Sequence, residues 1–158
     1  MGNKLSISQK ILLEYSRLNN LQRKNEHALC QLFWECTLKC NLHCQHCGSD
    51  CKTDNLQKDM PLFHFERVLD EIKEHMSSKD ILVITTGGEP LVRKDIVDCG
   101  KAITERGFMW GMVSNGMLLT LKKLDELIDA GLKTISISFF FIIITNLTAK
   151  LQNFDKVR

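Results

Sequence analysis

The amino-acid sequence predicts an α/β fold, a partial barrel of about four (βα) units that follows an N-terminal helix. Apolar β-branched runs alternate along the chain with helical stripes of apolar residues, and glycine or proline falls at most of the boundaries. Strands that alternate with helices imply a parallel sheet with right-handed crossovers, either a barrel or an open doubly wound sheet. The barrel is favoured because every candidate functional segment directly follows a strand, and (βα) barrels carry their active sites at that face.

Four strands are predicted from short runs that are rich in β-branched and apolar residues. They cover residues 31–35, 81–86, 108–113 and 133–138. Three helices connect them and begin at Pro61, near Arg93 and at Thr120, since proline or a hydroxyl side chain suits the start of a helix. Gly107 and Gly131 are predicted to end the second and third of these helices.

An N-terminal helix over residues 6–26 is predicted to precede the core. Ile7, Ile11, Tyr15 and Leu18 recur at helical spacing, so we expect this stripe to pack on the main domain. The chain therefore divides into three parts: a helical extension at 1–28, the first part of the core domain at 29–138, and an aberrant or truncated tail at 139–158.

Composition limits the class of protein. The chain has 158 residues, of which 44% are hydrophobic and 25% charged, and its formal net charge is +2. A nucleic-acid-binding protein would carry a stronger basic excess, so no nucleic-acid partner is expected. Residues 1–10 are polar and lack the apolar stretch of a signal peptide, which favours a cytoplasmic protein. Five of the seven cysteines lie between residues 36 and 51, a clustering typical of metal binding rather than of a disulfide scaffold.

Three of the clustered cysteines have a spacing that suits an iron–sulfur cluster. Cys40, Cys44 and Cys47 are arranged as C-x3-C-x2-C. A [4Fe–4S] cluster usually takes four cysteine ligands, so three thiolates on one short loop leave one iron open to a non-protein ligand. That arrangement is typical of a catalytic cluster rather than of an electron carrier.

Other uses of the cysteines remain open from the sequence. A structural zinc ion is one alternative, held by four of the five clustered cysteines or with help from His43 or His46. Disulfide bonds are another alternative, although the expected cytoplasmic location argues against them because the cytoplasm is reducing. Cys36 and Cys51 are assigned to no site. Cys30 and Cys99 are interpreted as small buried residues.

Two polar turns follow the second and third predicted strands. The first, Thr86-Gly87-Gly88-Glu89-Pro90, combines glycines that allow close backbone approach with carbonyl and carboxylate groups that suit an ammonium group. The second is Ser114-Asn115-Gly116, which by itself is also a common turn sequence. Glycine-rich turns between strand and helix also occur for steric reasons alone, so neither turn identifies a ligand without the cysteine loop.

Together, the cysteine loop and the glycine turn resemble the motifs of the radical S-adenosyl-L-methionine (SAM) superfamily. The matching segments are Cys40-Asn41-Leu42-His43-Cys44-Gln45-His46-Cys47 and the GGEP turn. The resemblance implies a [4Fe–4S] cluster and SAM as cofactors, within a core barrel of more units than this chain supplies. It also implies the residues that hold them: Cys40, Cys44 and Cys47 for the cluster, His46 beside the adenine, Gly87, Gly88 and Glu89 for the amino group of SAM, and Ser114 and Asn115 near its ribose or carboxylate.

The resemblance further implies an enzymatic reaction. A reduced cluster gives one electron to the SAM sulfonium, the bond to the 5′ carbon breaks, and the 5′-deoxyadenosyl radical abstracts hydrogen from a substrate. No side chain is needed as a general acid or base, and an electron donor such as flavodoxin or ferredoxin is implied. We also expect that a side chain at Gly88 weakens SAM binding more than iron binding.

The front of the chain is similar to one branch of this superfamily. The N-terminal helix and the cysteine-rich run at 26–51 resemble the peptide- and protein-maturase branch of the SPASM-like type. More narrowly, they are similar to its lipoprotein-associated subgroup. The resemblance therefore implies a peptide or protein substrate.

The segment after the fourth predicted strand departs from the family pattern. Residues 139–144 are six large apolar residues, and a truncated or frame-shifted product is the favoured interpretation. A membrane span is not expected, because the sixteen uncharged residues between Lys133 and Lys150 are too few and too polar. The apolar run beside an open sheet edge predicts poor solubility.

Two alternatives to a radical SAM enzyme remain from the sequence. The chain could be a non-catalytic module that binds an iron–sulfur cluster or zinc, or a degenerate fragment.

Overall fold

The computed structural model describes residues 5–25, 28–44, 47–49 and 51–138. Its centre is one parallel sheet with the strand order β1-β2-β3-β4. The strands are β1 (Gln31–Thr37), β2 (Leu82–Gly87), β3 (Met109–Ser114) and β4 (Leu132–Ile137). Each strand pairs with the next along the chain, without the reversal of order that a doubly wound sheet requires. The described residues therefore form part of a barrel wall, and the predicted α/β class and partial barrel are confirmed.

Helices fill the three crossovers and lie on one face of the sheet. They are α2 (Leu62–His75), α3 (Ile96–Glu105) and α4 (Leu121–Asp129). Helix α2 contacts α3, and α3 contacts α4. Successive right-handed crossovers that all advance in one direction place their helices on the same side in this way.

Local signals set the ends of these helices. Thr120 begins α4 as predicted, since its Oγ1 accepts a hydrogen bond from the backbone N of Lys123 at 3.1 Å. Helix α3 begins at Ile96 rather than near Arg93, because Pro90–Val92 first form a short 3₁₀ helix. The predicted ends of α3 and α4 are confirmed by glycines in the left-handed conformation, Gly107 and Gly131, with φ of 84° and 97°.

The core lies between the helices and the sheet, and helix α3 approaches the sheet most closely at Gly100. Trp110 on β3 is fully buried, and its Nε1 donates a hydrogen bond to Thr85 Oγ1 at 3.2 Å. A Cβ on Gly100 would stand 2.0 Å from a carbon of the Trp110 ring. Helix α3 therefore packs on β3 with no room for a side chain at this position. Other fully buried members of the core are Leu69, Ile81, Val83, Ile103, Met112 and Leu127.

The N-terminal helix forms as predicted, but its apolar stripe does not pack on the core. Helix α1 spans Ile7–Asn25. The side chains of Ile7 and Tyr15 are 78% and 70% exposed, and those of Ile11 and Leu18 are also exposed. The expectation that this stripe packs on the main domain is wrong within the described residues, because α2, α3 and α4 already cover the helical face of the sheet. None of the described helices combines the length and the apolar character needed to span a bilayer.

The tail at 139–158, with its apolar run at 139–144, lies outside the described residues. Strand β4 ends at Ile137 and pairs on its described side with β3. The predicted poor solubility of the chain therefore stays a prediction. The division of the chain into three parts, with boundaries after residues 28 and 138, also stays a prediction.

The packing at Gly100 leads to a stability prediction. We expect Gly100→Ala to lower the free energy of unfolding by a net ~1–2 kcal/mol, because overpacking a filled core costs about 1–3 kcal/mol and helix propensity returns at most about 1 kcal/mol. Urea unfolding followed by tryptophan fluorescence measures the difference. Lys101→Ala, at the exposed neighbouring position of α3, is the matched control and should change stability little. Equal stability of Gly100→Ala and the wild type would contradict the close packing.

Candidate functional site

Three loops, which follow β1, β2 and β3, meet at the carboxyl edge of the sheet and enclose a cavity of about 230 Å³. Seven of the nine candidate residues line this cavity: Cys40, Cys44, Cys47, Gly87, Gly88, Ser114 and Asn115. Glu89 lies in the wall behind it, and His46 lies outside the described residues. Segments that are up to 75 residues apart in the sequence thus form one site, for example at the contact between Cys40 and Asn115.

The cysteine loop is closed by backbone pairing between its two ends. Lys39 and Lys52 form an isolated parallel bridge. The N–H of Cys40 donates to Lys52 O, and the N–H of Lys52 donates to Leu38 O, each at 3.3 Å. Thr53 Oγ1 adds a hydrogen bond to Cys40 O at 2.9 Å. The loop therefore leaves β1 and returns beside it, which holds its cysteines over the edge of the sheet.

The glycine turn docks directly on the entrance to the cysteine loop. The N–H of Gly88 donates to Thr37 O at 2.8 Å, and the N–H of Glu89 donates to Lys39 O at 2.9 Å. Gly87 has a φ of 118°, a conformation that favours glycine. The two motifs recognised separately in the sequence are thus one hydrogen-bonded unit.

The structure gives a different reason for the glycine at position 88. A Cβ there would stand 2.2 Å from Lys39 O and 3.1 Å from the Cβ of Cys40. The sequence-based expectation was that a side chain at Gly88 would meet bound SAM or strain the turn, and so weaken SAM binding more than iron binding. In the structure, the first group it would meet is the cysteine loop itself, so a substitution at Gly88 displaces a candidate metal ligand.

Glu89 joins the glycine turn to the end of β3. Its side chain is fully buried. One carboxylate oxygen accepts hydrogen bonds from Ser114 Oγ at 2.8 Å and from Leu91 N at 3.1 Å. The other accepts from Asn115 N at 2.6 Å. Three donors within the chain therefore satisfy this carboxylate, and a role in holding the SAM amino group stays a prediction.

Asn115 in turn ties the end of β3 to the cysteine loop. Its Nδ2 donates to Asn41 Oδ1 at 2.8 Å and lies 3.9 Å from Cys40 Sγ. Its Oδ1 accepts from Met117 N at 3.0 Å. The side chain thus forms part of the rim of the cavity and contacts a candidate cluster ligand. Sequence reasoning placed Asn115 at the site but did not identify Asn41.

Sequence reasoning also missed Arg93, which braces the site from behind. Its guanidinium donates to Cys36 O at 2.7 Å, to Met60 O at 2.9 Å and to Asp95 Oδ1 at 2.7 Å. It lies over the Trp34 ring, 5.1 Å from the centroid. One buried cation thus connects β1, the segment before α2 and the segment before α3. The sequence signal that could have identified Arg93 is its position, as a charged residue directly after the apolar segment Pro90–Val92.

The cysteines outside the motif differ in their surroundings. Burial raises the pKa of Cys36 to about 12 and that of Cys99 to about 11, so both are neutral core thiols. Cys30 is half-buried rather than buried. Cys51 lines the cavity, and burial, followed by its neighbours Cys47 and Cys40, raises its pKa to about 11.

Three of the thiols that line the cavity belong to the C-x3-C-x2-C motif, and their arrangement can be compared with the needs of zinc and of an iron–sulfur cluster. A tetrahedral zinc ion with zinc–sulfur bonds of about 2.3 Å needs sulfurs about 3.8 Å apart. Among the described residues, no three cysteine sulfurs lie within 4.8 Å of one another; the group that meets this distance is Glu71, Glu74 and His75, on the exposed surface of α2. An iron–sulfur cluster holds its thiolates on separate irons and hence farther apart. Cys40, Cys44 and Cys47 around one cavity suit that arrangement.

Comparison with known proteins agrees with this geometry. The sequence model of the Radical SAM superfamily matches residues 34–140. The chain belongs to the radical SAM superfamily. It is 34% identical over 105 residues to a PqqA peptide cyclase from Bradyrhizobium diazoefficiens, which is 66% of this chain and 27% of that protein. It is 28% identical over 140 residues to an AdoMet-dependent heme synthase from Oleidesulfovibrio alaskensis, which is 87% of this chain and 35% of that protein.

Two solved structures share the fold of the described residues. BtrN in complex with AdoMet and 2-DOIA has a TM-score of 0.60 at 19% identity, over 69% of this chain and 45% of that chain. Streptococcus suis SuiB bound to S-adenosylmethionine has a TM-score of 0.52 at 21% identity, over 85% of this chain and 31% of that chain. The chain thus spans less than half the length of these relatives. Membership implies SAM and an iron–sulfur cluster as cofactors.

The buried carboxylate generates a second prediction. We expect Glu89→Gln to lower the free energy of unfolding of the cofactor-free protein by about 1–3 kcal/mol, because the amide NH₂ would face a backbone or hydroxyl donor. Urea unfolding in the absence of SAM and metal measures the change in the free energy of unfolding. Glu105→Gln, at the exposed end of α3, is the control and should behave as the wild type. Unchanged stability of Glu89→Gln together with weaker SAM binding would show that the carboxylate acts on the ligand instead.

Proposed function

We propose that this chain carries the cofactor-binding part of a radical SAM enzyme, which cleaves SAM reductively to start a hydrogen abstraction. One observation carries the proposal: the thiols of Cys40, Cys44 and Cys47, the Gly87-Gly88 main chain and the end of β3 line a single cavity. When bound, a [4Fe–4S] cluster supplies the electron that cleaves SAM into methionine and a 5′-deoxyadenosyl radical. All further steps of the proposal concern what the protein residues do.

The cysteine loop binds and orients the cluster. Cys40, Cys44 and Cys47 each supply one thiolate, and their number leaves one iron for a non-protein ligand. The backbone pairing at Lys39 and Lys52 fixes the loop before any metal binds. This preorganisation would hold the three thiols at the cavity, where they would bind the cluster.

The other walls hold SAM. The glycine turn presents main chain rather than side chains to the cavity, so carbonyl oxygens are available to meet the ammonium group of methionine. Ser114 and Asn115 border the region proposed for the ribose or the carboxylate. Glu89 holds both walls in register from behind, and His46 is proposed to lie beside the adenine.

A peptide or protein is the proposed class of substrate. The PqqA peptide cyclases from Bradyrhizobium diazoefficiens and Rhodopseudomonas palustris match this chain at 34% and 31% identity, each over 105 residues. We further propose a cytoplasmic setting with a flavodoxin or ferredoxin as electron donor, because cluster thiolates require a reducing compartment. The alternative is a binding module that holds a cluster or zinc without catalysis.

The metal content tests the proposed function directly. Anaerobic reconstitution with iron and sulfide should load about four irons per chain. Reduction in the presence of SAM should then release 5′-deoxyadenosine. Cys40→Ala, Cys44→Ala and Cys47→Ala should each abolish both results, whereas Cys30→Ala and Cys99→Ala should abolish neither. Binding of one zinc ion without iron would end the proposal, and iron without 5′-deoxyadenosine would favour the binding module.

A glycine pair tests how the turn and the cysteine loop depend on each other. Because a side chain at Gly88 meets Lys39 and Cys40, Gly88→Val should lose iron and SAM binding together. Gly48→Ala is the matched control, since Gly48 also lines the cavity but a Cβ there has no atom within 4 Å. Iron analysis measures the iron content of each variant, and equilibrium dialysis with labelled SAM measures its SAM binding. Full iron content in Gly88→Val with lost SAM binding would show that the ligand, not the loop, requires the glycine.

A further inference from the structure

The face of the sheet opposite the helices, called the open face below, carries a carboxylate on β1. Trp34 and Cys36 of this strand are buried in the core, and Trp34 stacks on Phe65 of α2 with 3.6 Å between the ring centroids. Successive side chains of a strand alternate between its two faces. Glu35 lies between these two core residues and therefore projects from the open face, where it is exposed.

Glu35 lies at the level of the cavity. It is paired in register with Thr86 of β2, and Thr86 lines the cavity. Residues that are in register on neighbouring parallel strands project from the same face, about 4.8 Å apart. Ser49 of the cysteine loop donates a hydrogen bond from its Oγ to Glu35 Oε1 at 3.3 Å. The carboxylate is therefore placed between the open face and the loop that carries the candidate cluster ligands.

The surroundings of Glu35 on the open face contain no cation that pairs with it. Within the part of the chain that the structure describes, Ser49 supplies its one hydrogen bond, and none of the ion pairs includes it. The nearby positions of this face are apolar or carry a hydroxyl group: Phe33, Ile84, Thr86, Val113 and Ser136. A negative charge thus stands alone in a neutral surface.

The same surface borders the place where a substrate must react. In (βα) barrels the face opposite the helices is the interior, and substrates bind at the carboxyl ends of the strands. A substrate that reaches the cavity from the interior therefore passes the open face beside Thr86 and Glu35. A carboxylate that loses water on binding needs compensating partners, and a cationic donor forms the strongest hydrogen bonds to it.

We propose that Glu35 is a specificity-determining residue whose carboxylate binds a cationic group of the substrate, the side chain of a lysine or an arginine in a peptide. The inference rests on the proposed function and deepens it, because it names the charge of the group that is recognised beside the cavity. Ser49 orients the carboxylate through Oε1, and Oε2 accepts a hydrogen bond from the substrate cation.

Three matched peptides test this charge preference. They are pentapeptides of glycine with arginine, lysine or citrulline at the centre, each with a radiolabelled acetyl group and a C-terminal amide. Citrulline has the shape of arginine without its charge. The full chain, reconstituted anaerobically with iron and sulfide and supplied with SAM, is dialysed to equilibrium against each peptide. Glu35→Gln removes the charge at nearly constant volume, and Glu105→Gln, at the exposed end of α3, is the control.

We expect the wild type to bind the arginine or the lysine peptide about fivefold more tightly than the citrulline peptide, as for a partly exposed ion pair. Glu35→Gln should lose this preference, and Glu105→Gln should keep it. Glu35→Lys should instead prefer a glutamate peptide to its glutamine counterpart, a reversal that a merely structural role would not produce. The tighter of the two cationic peptides identifies the group.

Two results would overturn the inference. One is a wild type that binds the charged peptides no more tightly than the citrulline peptide, or that binds none of them. The other is a preference that persists in Glu35→Gln. If that variant does not fold, Glu35→Lys decides, and an unchanged preference for the cationic peptides in Glu35→Lys overturns the inference.

The two proposals fail differently in these measurements. A wild type that binds no iron on reconstitution contradicts the proposed function. A wild type that holds its cluster and cleaves SAM but shows no charge preference contradicts only the role of Glu35.

Discussion

The buried carboxylate of Glu89 is the junction on which the site depends. Removing a carboxylate from water is costly unless its oxygens are paired. Here the donors come from Ser114, Asn115 and Leu91, and the backbone N–H of Glu89 itself donates to Lys39 O in the cysteine loop. One residue therefore links the ends of β1, β2 and β3. If any of these loops moved away, a buried charge would lose a partner, and this cost keeps the loops together before a cofactor binds.

Close backbone approach reinforces the same junction. The glycine turn can lie against the cysteine loop because neither Gly87 nor Gly88 has a side chain; a Cβ on either would stand 2.2 Å from a carbonyl oxygen of Thr37 or Lys39. Behind this contact, Arg93 binds the carbonyl oxygen of Cys36 at the end of β1. The candidate cluster site thus has hydrogen-bonded, closely packed loops behind it and an open cavity in front.

Much of this architecture was predictable from local patterns. Short apolar runs, of which residues 81–86 are rich in β-branched residues, predicted the four strands. Thr120, Gly107 and Gly131 predicted the helix boundaries that the structure confirms. The cysteine loop, the glycine turn and the Ser114-Asn115-Gly116 turn were also found from the sequence, because the residues of each motif are close together along the chain. Local signals did not reveal Arg93, Asn41 or the place of Cys51 in the cavity, since each owes its role to partners distant in sequence. The stripe of α1 was correctly assigned to a helix, but periodicity identifies an apolar face without identifying what covers it.

The sequence by itself determined the order of elements, the parallel sheet and the motifs that meet at the candidate site. These depend on periodicity, turn residues and motif spacing, which are properties of short segments. Only the tertiary structure decided what each site residue contacts: Glu89 turns toward β3 rather than into the cavity, Gly88 faces the cysteine loop, and Cys51 joins the motif cysteines. The physical reason is that burial, hydrogen-bond partners and steric limits arise between segments brought together by the sheet, and no single segment encodes them.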